Sequence, residues 1–227
     1  MIDIISATRL SHDDFLAQAP LGVSLKRLAF DKRIRARVTF ENRAGLPVVY
    51  NAAIEAPEAA EFLVFMHDDV WIDDYFFADR IITALQGFDV IGPAGNRRRL
   101  PRQPSWAFLQ LMGDKVLMDS PKNLAGAVAH GRAPFGPVSF YGQTPAACEL
   151  LDGVLLAARR DSLRANAVRF DPRFDFHFYD LDFCRSARTA GLNLGCAALA
   201  LTHRSHGEFG SPRWRESYDT YLDKWGD

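Results

Sequence analysis

Residues 61–76, EFLVFMHDDVWIDDYF, run five apolar residues straight into a histidine and two aspartates. The apolar part reads as a strand buried on both faces. Such a strand cannot end in concentrated negative charge without cost, unless something positive or some chemistry sits at that end. Alternate side chains of a strand end share one side, so His67 and Asp69 face together and Asp68 points elsewhere. Carboxylate oxygens suit Mg²⁺ and Mn²⁺, and an added imidazole tilts the choice toward Mn²⁺ or another transition ion. The competing reading, in which the cluster only caps the next helix, is weakened by Asp73, which is expected to supply that cap.

Working outward, IDIISA is a strand and SHDDFLAQA a helix start, with Ser11 as cap and Asp13 and Asp14 in the first turn. RVTF reads as a second strand. In AGLPVVYNAAIEAP, Pro47 suits a first helical turn and Pro57 stops the element. DDYFFADRIITAL is read as a helix and FDVIGPAG as a strand. This order implies an α/β protein with a mostly parallel, Rossmann-like sheet and helices on both faces. Ligands of such sheets sit off the carboxyl ends of the strands. That edge receives Ala7, Thr8 and Arg9, then Glu41 and Asn42, then His67, Asp68 and Asp69.

Residues 94–148 scatter Pro, Gly and Arg with little periodicity, and are expected to form short strands or hairpins with a mobile portion serving a substrate. Beyond them ELLDGVLLAARRDSL reads as strand then helix, and LGCAALAL as one strand. DLDFCRSARTAGLN is a helix closed by Gly191, and PRWRESYDTYLDKW an amphipathic helix. The chain is read as a single domain over 1–227, with a nucleotide-binding half (1–93) and an acceptor and catalytic half (94–227).

The 227 residues are 48% hydrophobic and carry a formal charge of −1. That is enough apolar matter for a large core and too little positive charge for a nucleic-acid binder. Three cysteines without a CxxC pair argue against a disulfide framework or a cysteine zinc site, so a cytoplasmic setting is expected. No signal peptide pattern and no apolar run near the ~18 residues of a membrane span are present, which leaves peripheral membrane association as the conceivable membrane contact.

Two later clusters bear on chemistry. In FDPRFDFHFYDLDFCRSARTAGL, Asp180 and Asp182 flank a helix start; one can cap, and the other is free to act as a general base. In LTHRSHGEFG, His203 and His206 follow a strand and can complete a metal shell begun by His67 and Asp69. Arg97, Arg98, Arg99 and Arg102 form a charge run that reads as a solvated loop rather than a diphosphate clamp. Trp106 and Tyr141 serve equally as core or as a sugar platform.

NRAGLPVVYNAAIEAPEAAEFLVFMHDDV, LDGVLLAARRDSL, the HFYDLD segment (residues 177–182) and LALTHRSHGEFG together resemble, in order and spacing, GT-A glycosyltransferases. The nearest likeness is to family-2-like bacterial members with a His-x-Asp metal motif and a His-Phe-Tyr-Asp-x-Asp motif. The resemblance implies metal-dependent transfer of a sugar from a nucleotide-diphosphate sugar, UDP- or GDP-type, to a saccharide or lipid-linked acceptor, usually with inversion. It implies a divalent metal, Mn²⁺ or Mg²⁺, at Asp69, His67 and His203, and Asp180 as the base. Ala7, Thr8, Glu41 and Asp68 fall on the nucleotide side, and Asp152 and Gly153 near the acceptor. His67 replaces the usual first aspartate, which removes a negative charge, and Tyr179 replaces the usual glutamate beside Asp180. Those two departures sustain an alternative, a GT-A-like domain that binds nucleotide sugar or glycan without turnover. Nucleotidyl transfer would want a glycine- and lysine-rich phosphate loop after the first strand, which SATRLSHDD lacks.

Overall fold

The computed structural model describes every residue except Asp114, His206 and Asp227. Its first part comprises β1 (Ile2–Ala7), α1 (His12–Gln18), α2 (Pro20–Arg27), β2 (Ile34–Thr39), α3 (Leu46–Glu55) and β3 (Phe62–Met66). There follow β4 (Val70–Ile72), α4 (Phe77–Ala84), β5 (Val90–Gly92), β6 (Ala94–Asn96), β7 (Phe108–Met112), β8 (Lys115–Met118), β9 (Leu124–His130) and β10 (Val138–Gly142). The last part holds β11 (Ala146–Cys148), β12 (Leu150–Leu151), β13 (Leu155–Arg159), α5 (Arg160–Ala165), α6 (Tyr179–Thr189), β14 (Leu194–Cys196), β15 (Leu201–His203) and α7 (Pro212–Trp225).

Local chemistry accounts for several of the helix ends. Ser11 accepts the Asp14 N–H at the start of α1, and Ser211 does the same for Trp214 at the start of α7. Pro20 and Pro47 sit in first turns, where the missing N–H costs nothing. Gly191, with φ +84, supplies the left-handed residue just beyond α6.

The larger sheet runs β11-β14-β5-β13-β3-β1-β2. β1 is parallel to both β2 and β3, and β5 is parallel to β14. Into this mostly parallel sheet β13 inserts between β3 and β5, antiparallel to both, with Leu155 opposite Met66. A second sheet runs β12-β6-β9-β15-β4, with β10 on the outside of β9. Residues 94–148 thus supply short strands and the hairpin β7–β8, as their composition suggests.

Three expectations need correction. The helix expected from Asp73 starts only at Phe77, because Val70, Trp71 and Ile72 are buried and form β4 against β15. Asp73 consequently caps nothing. Its Oδ2 accepts the Thr202 hydroxyl at 2.5 Å and the Phe135 N–H at 3.0 Å, while Phe76 holds the N-cap position of α4. Finally, LGCAALAL is two strands, because residues 197–200 carry the chain from β14 in one sheet to β15 in the other.

Asp3, the second residue of β1, is fully buried and anchors the outer edge of the large sheet. It accepts from Arg35 and Arg37 of β2, at 2.6 Å each, and from the Ala60 N–H at 2.9 Å. Burial pushes its pKa up, but the Arg35 hydrogen bond, the Ala60 N–H and the two guanidinium charges outweigh that and leave it below the ordinary carboxylate value. Because the folded pKa lies below the unfolded one, this contribution is complete above the ordinary carboxylate range and is lost as pH falls through the folded value. Removing one partner of a buried ion pair typically costs ~3–5 kcal/mol, and the partial exposure of the arginines places Asp3→Ala at about 3 kcal/mol. Urea unfolding at neutral pH measures this loss, and the gap between variant and wild type should shrink in acid.

Candidate functional site

Two register choices build the cleft. Leaving β3 at Met66, the chain passes through His67, Asp68 and Asp69 and enters the second sheet as β4. There Val70 pairs with His203 of β15, and the Arg204 N–H bonds the Asp69 carbonyl at 3.0 Å. On the other side the pairing of Met66 with Leu155 brings the His67 N–H to the Val154 carbonyl. The segment 152–154 and the end of β15 therefore flank the same tripeptide.

The result is a cavity of about 290 Å³ lined by His67, Asp69, Asp152, Gly153, Asp180 and His203, among others. A larger one, about 910 Å³, adjoins it through the shared residues Ala7, Leu46, Asp68, Phe176, His177 and Glu208. Thr8, Asn42, Arg43, Arg173 and Arg213 line the larger cavity. Glu41 lines neither; it sits exposed at φ +48, its N–H bonded to the Leu10 carbonyl. Arg97, Arg98, Arg99 and Arg102 also lie outside both linings, and Arg98 pairs with Asp119 at 2.5 Å. Trp106 lines the smaller cavity with its ring edge-on to Tyr141 at 4.9 Å.

His67, Asp69 and His203 each offer one ligand atom within 4.8 Å of the others. His203 Nε2 lies 3.3 Å from Asp69 Oδ1, and His67 Nδ1 lies 3.9 Å from the same oxygen. Two nitrogens converging on one carboxylate oxygen form a donor set that fits a divalent cation of borderline hardness. Burial, with some opposition from Asp69, pulls His67 down to about 4, so its imidazole is neutral at physiological pH. Burial raises Asp69, but the His203 hydrogen bond and the two imidazole charges win and leave it at about 2. His203 is pulled down by burial and up more strongly by Asp69, for a net rise. His206, expected beside His203, lies outside the described residues.

Asp180 and Asp182 stand in the first turn of α6, and neither holds the cap position. That place belongs to Phe178, whose φ of +65 is strained for a residue with a bulky side chain. Aromatic rings of α7 hold it: Trp214 at 5.1 Å, Tyr221 at 5.3 Å and Tyr218 stacked at 5.4 Å. Asp182 points away from the cleft into a buried contact with Lys224 (2.7 Å) and the Trp225 ring N–H (2.9 Å), fastening α7 to α6. Asp180 points into the cleft, with Oδ2 accepting the Gly153 N–H at 3.0 Å. Burial and then the charge of Asp152 push Asp180 up to about 7, against the N–H groups of Leu181, Gly153 and its own backbone. Burial likewise raises Asp152, whose Oδ1 accepts the Val154 N–H. Asp68 is raised by burial, with the Thr8 hydroxyl bond opposing. A side chain at Gly153 would place its Cβ 2.7 Å from Tyr179 Oη and 2.8 Å from Asp180 Cβ, so only glycine fits between them.

Sequence reasoning passed over Phe176, Trp214, Arg173 and Arg213 as cleft residues. Trp214 carried a signal, being a large aromatic on the apolar stripe of α7; the arginines sit in ordinary charged surface segments and carried none.

No family model matches the chain, and no curated protein matches it in sequence. Solved structures do. TarS residues 1–349 from S. aureus align with a TM-score of 0.51 at 11% identity, over 89% of this chain and 60% of that one. The fold is of the GT-A type, an α/β arrangement with a Rossmann-like sheet. A197 from STIV gives 0.47 at 12% identity, covering 90% of this chain and 85% of that one. The catalytic domain of Drosophila beta1,4galactosyltransferase 7, in complex with xylobiose, gives 0.46 at 11%, covering 96% and 79%. The chain spans about 60% of the TarS chain it matches, and that TarS fragment also has a structure in complex with UDP. No helix of the described residues is long and apolar enough to cross a membrane.

The mutual influence of Asp152 and Asp180 can be tested directly. In Asp152→Asn the Asp180 carboxyl should titrate below its midpoint of about 7, because a repelling charge is gone; carboxyl carbon shifts followed by NMR against pH read the change.

Proposed function

We propose that the protein is a glycosyltransferase that moves a sugar from a nucleotide-diphosphate sugar to an acceptor hydroxyl, with metal dependence and inversion. The observation that carries this reading is the meeting of the His67–Asp69–His203 donor set and the raised Asp180 carboxyl in one cleft of a GT-A fold. Asp69, His67 and His203 would hold a divalent cation, Mn²⁺ or Mg²⁺. Bound there, such an ion supplies positive charge to the departing diphosphate.

Asp180 does the proton chemistry. As the acceptor oxygen bonds to the anomeric carbon and the bond from that carbon to the diphosphate oxygen breaks, the acceptor proton passes to the Asp180 carboxylate. The Gly153 N–H holds that carboxylate in place. A carboxyl titrating near neutrality suits this task, being largely ionised slightly above pH 7 yet basic enough to take a proton. Ala7, Thr8 and Asp68 line the side assigned to the nucleotide, where Arg43, Arg173 and Arg213 add positive charge. Asp152, Gly153 and Trp106 line the side assigned to the acceptor, a saccharide or lipid-linked saccharide. Three free, buried cysteines accord with a reducing, cytoplasmic setting.

Melting curves with UDP and GDP sugars, with and without Mn²⁺, test the binding half of this reading. Donor plus Mn²⁺ should raise the melting temperature, and Asp69→Ala should abolish the metal-dependent part. Absence of any shift with either nucleotide, with or without Mn²⁺, would sink the reading, whereas binding without transfer to any acceptor would favour the binding module. For turnover, Asp180→Asn should lower kcat by ~10²–10⁴ while leaving donor affinity within a few fold. The wild-type kcat/KM should rise with pH through about 7 and level off above it, since the base works only when deprotonated.

A further inference from the structure

The geometry points to Tyr179 as a positioning residue that fixes the tautomer of His67, holding its proton on Nε2 and leaving the Nδ1 lone pair for the ligand set with Asp69 and His203. This rests on the metal reading of the cleft and goes beyond it, because it gives a role to the tyrosine that stands where a glutamate was expected.

Tyr179 Oη lies 2.6 Å from the Gly153 carbonyl oxygen and 2.9 Å from His67 Nε2. A carbonyl has no proton to give, so the tyrosine hydroxyl donates to it. The tyrosine oxygen can then only accept from His67, which requires the imidazole hydrogen on Nε2. A neutral imidazole carries one ring N–H, so Nδ1 is bare. That nitrogen is the one 3.9 Å from Asp69 Oδ1.

Each partner in this chain is itself held. The Tyr179 ring is buried beside Tyr50 and Phe170, with ring centres 6.0 and 6.1 Å away. The His67 ring stacks on Phe176 at 5.5 Å and 24°, so its rotation about the stack is set by what its edges meet. Gly153 keeps its carbonyl within reach because a Cβ there would meet the tyrosine oxygen at 2.7 Å. Ligating histidines are commonly oriented through their second ring nitrogen, and loss of that partner typically weakens metal binding ~10–100-fold. The histidine at 67 and the tyrosine at 179 are thus one device in two parts.

The test begins on the metal-free protein. Side-chain ¹⁵N spectra should show His67 with a protonated Nε2 and an unprotonated Nδ1; the reverse pattern overturns the inference, whatever the protein does with metals. Mn²⁺ titration then compares wild type, Tyr179→Phe, His67→Ala and the double variant. Tyr179→Phe should weaken Mn²⁺ binding ~10–100-fold on its own and by nothing further when His67 is already alanine. An equal loss in both backgrounds, or none in either, would refute the positioning role. Failure of the wild type to bind Mn²⁺ or any other divalent ion would instead count against the metal reading, with the tautomer still decided by the spectra. Should Tyr179→Phe not fold, the wild-type spectra decide alone.

Discussion

The site depends on where one tripeptide changes sheets. β3 ends in the large sheet at Met66 and β4 begins in the second sheet at Val70, so His67, Asp68 and Asp69 are the bend between two sets of backbone hydrogen bonds. Each set imports a partner. The antiparallel register of β13 delivers Gly153, and with it the contacts of Tyr179 and Asp180, while the antiparallel register of β15 delivers His203. Because side chains alternate along a strand, a slip of one residue in either pairing would turn the imported groups to the wrong face. Residues far apart in sequence are brought within bonding range by two ladders whose energy comes from the surrounding core.

Electrostatics then divides labour among like groups. Four aspartates, Asp68, Asp69, Asp152 and Asp180, border the smaller cavity. Burial raises all of them, and what differs is the company. Asp69 faces His203 and ends well below the usual value, whereas Asp180 faces Asp152 and ends near neutrality. One cavity therefore holds a carboxylate that is ionised at neutral pH and another that titrates near it.

Much of this was legible in the chain. EFLVFM announces a buried strand, and the polar run after it a site, because that composition has no cheap structural use. The strand–helix alternation before residue 93 gave the parallel part of the sheet. What stayed hidden was long-range pairing. Nothing in LLAAR says that β13 runs against its neighbours, and VWI is too short to betray a strand between a turn and a helix. Asp73 looks like a cap in the sequence because, with no visible strand before it, an aspartate ahead of a helix has that role by default. His203 was readable as a candidate through its type and its place after an apolar run, but its nearness to Asp69 is a fact of register. Tyr179 was legible only as a substitution, for its meaning lies in the Gly153 carbonyl across the cleft.

The mix of one carboxylate and two imidazoles has a consequence for charge balance. A divalent cation seated among two carboxylates is formally neutralised, whereas here it would keep one net positive unit after ligation. Such a site would trade grip on the ion for a stronger residual field at its open side. Anionic cargo would itself complete the neutralisation, so that ion and cargo hold each other in place and leave more readily together than apart.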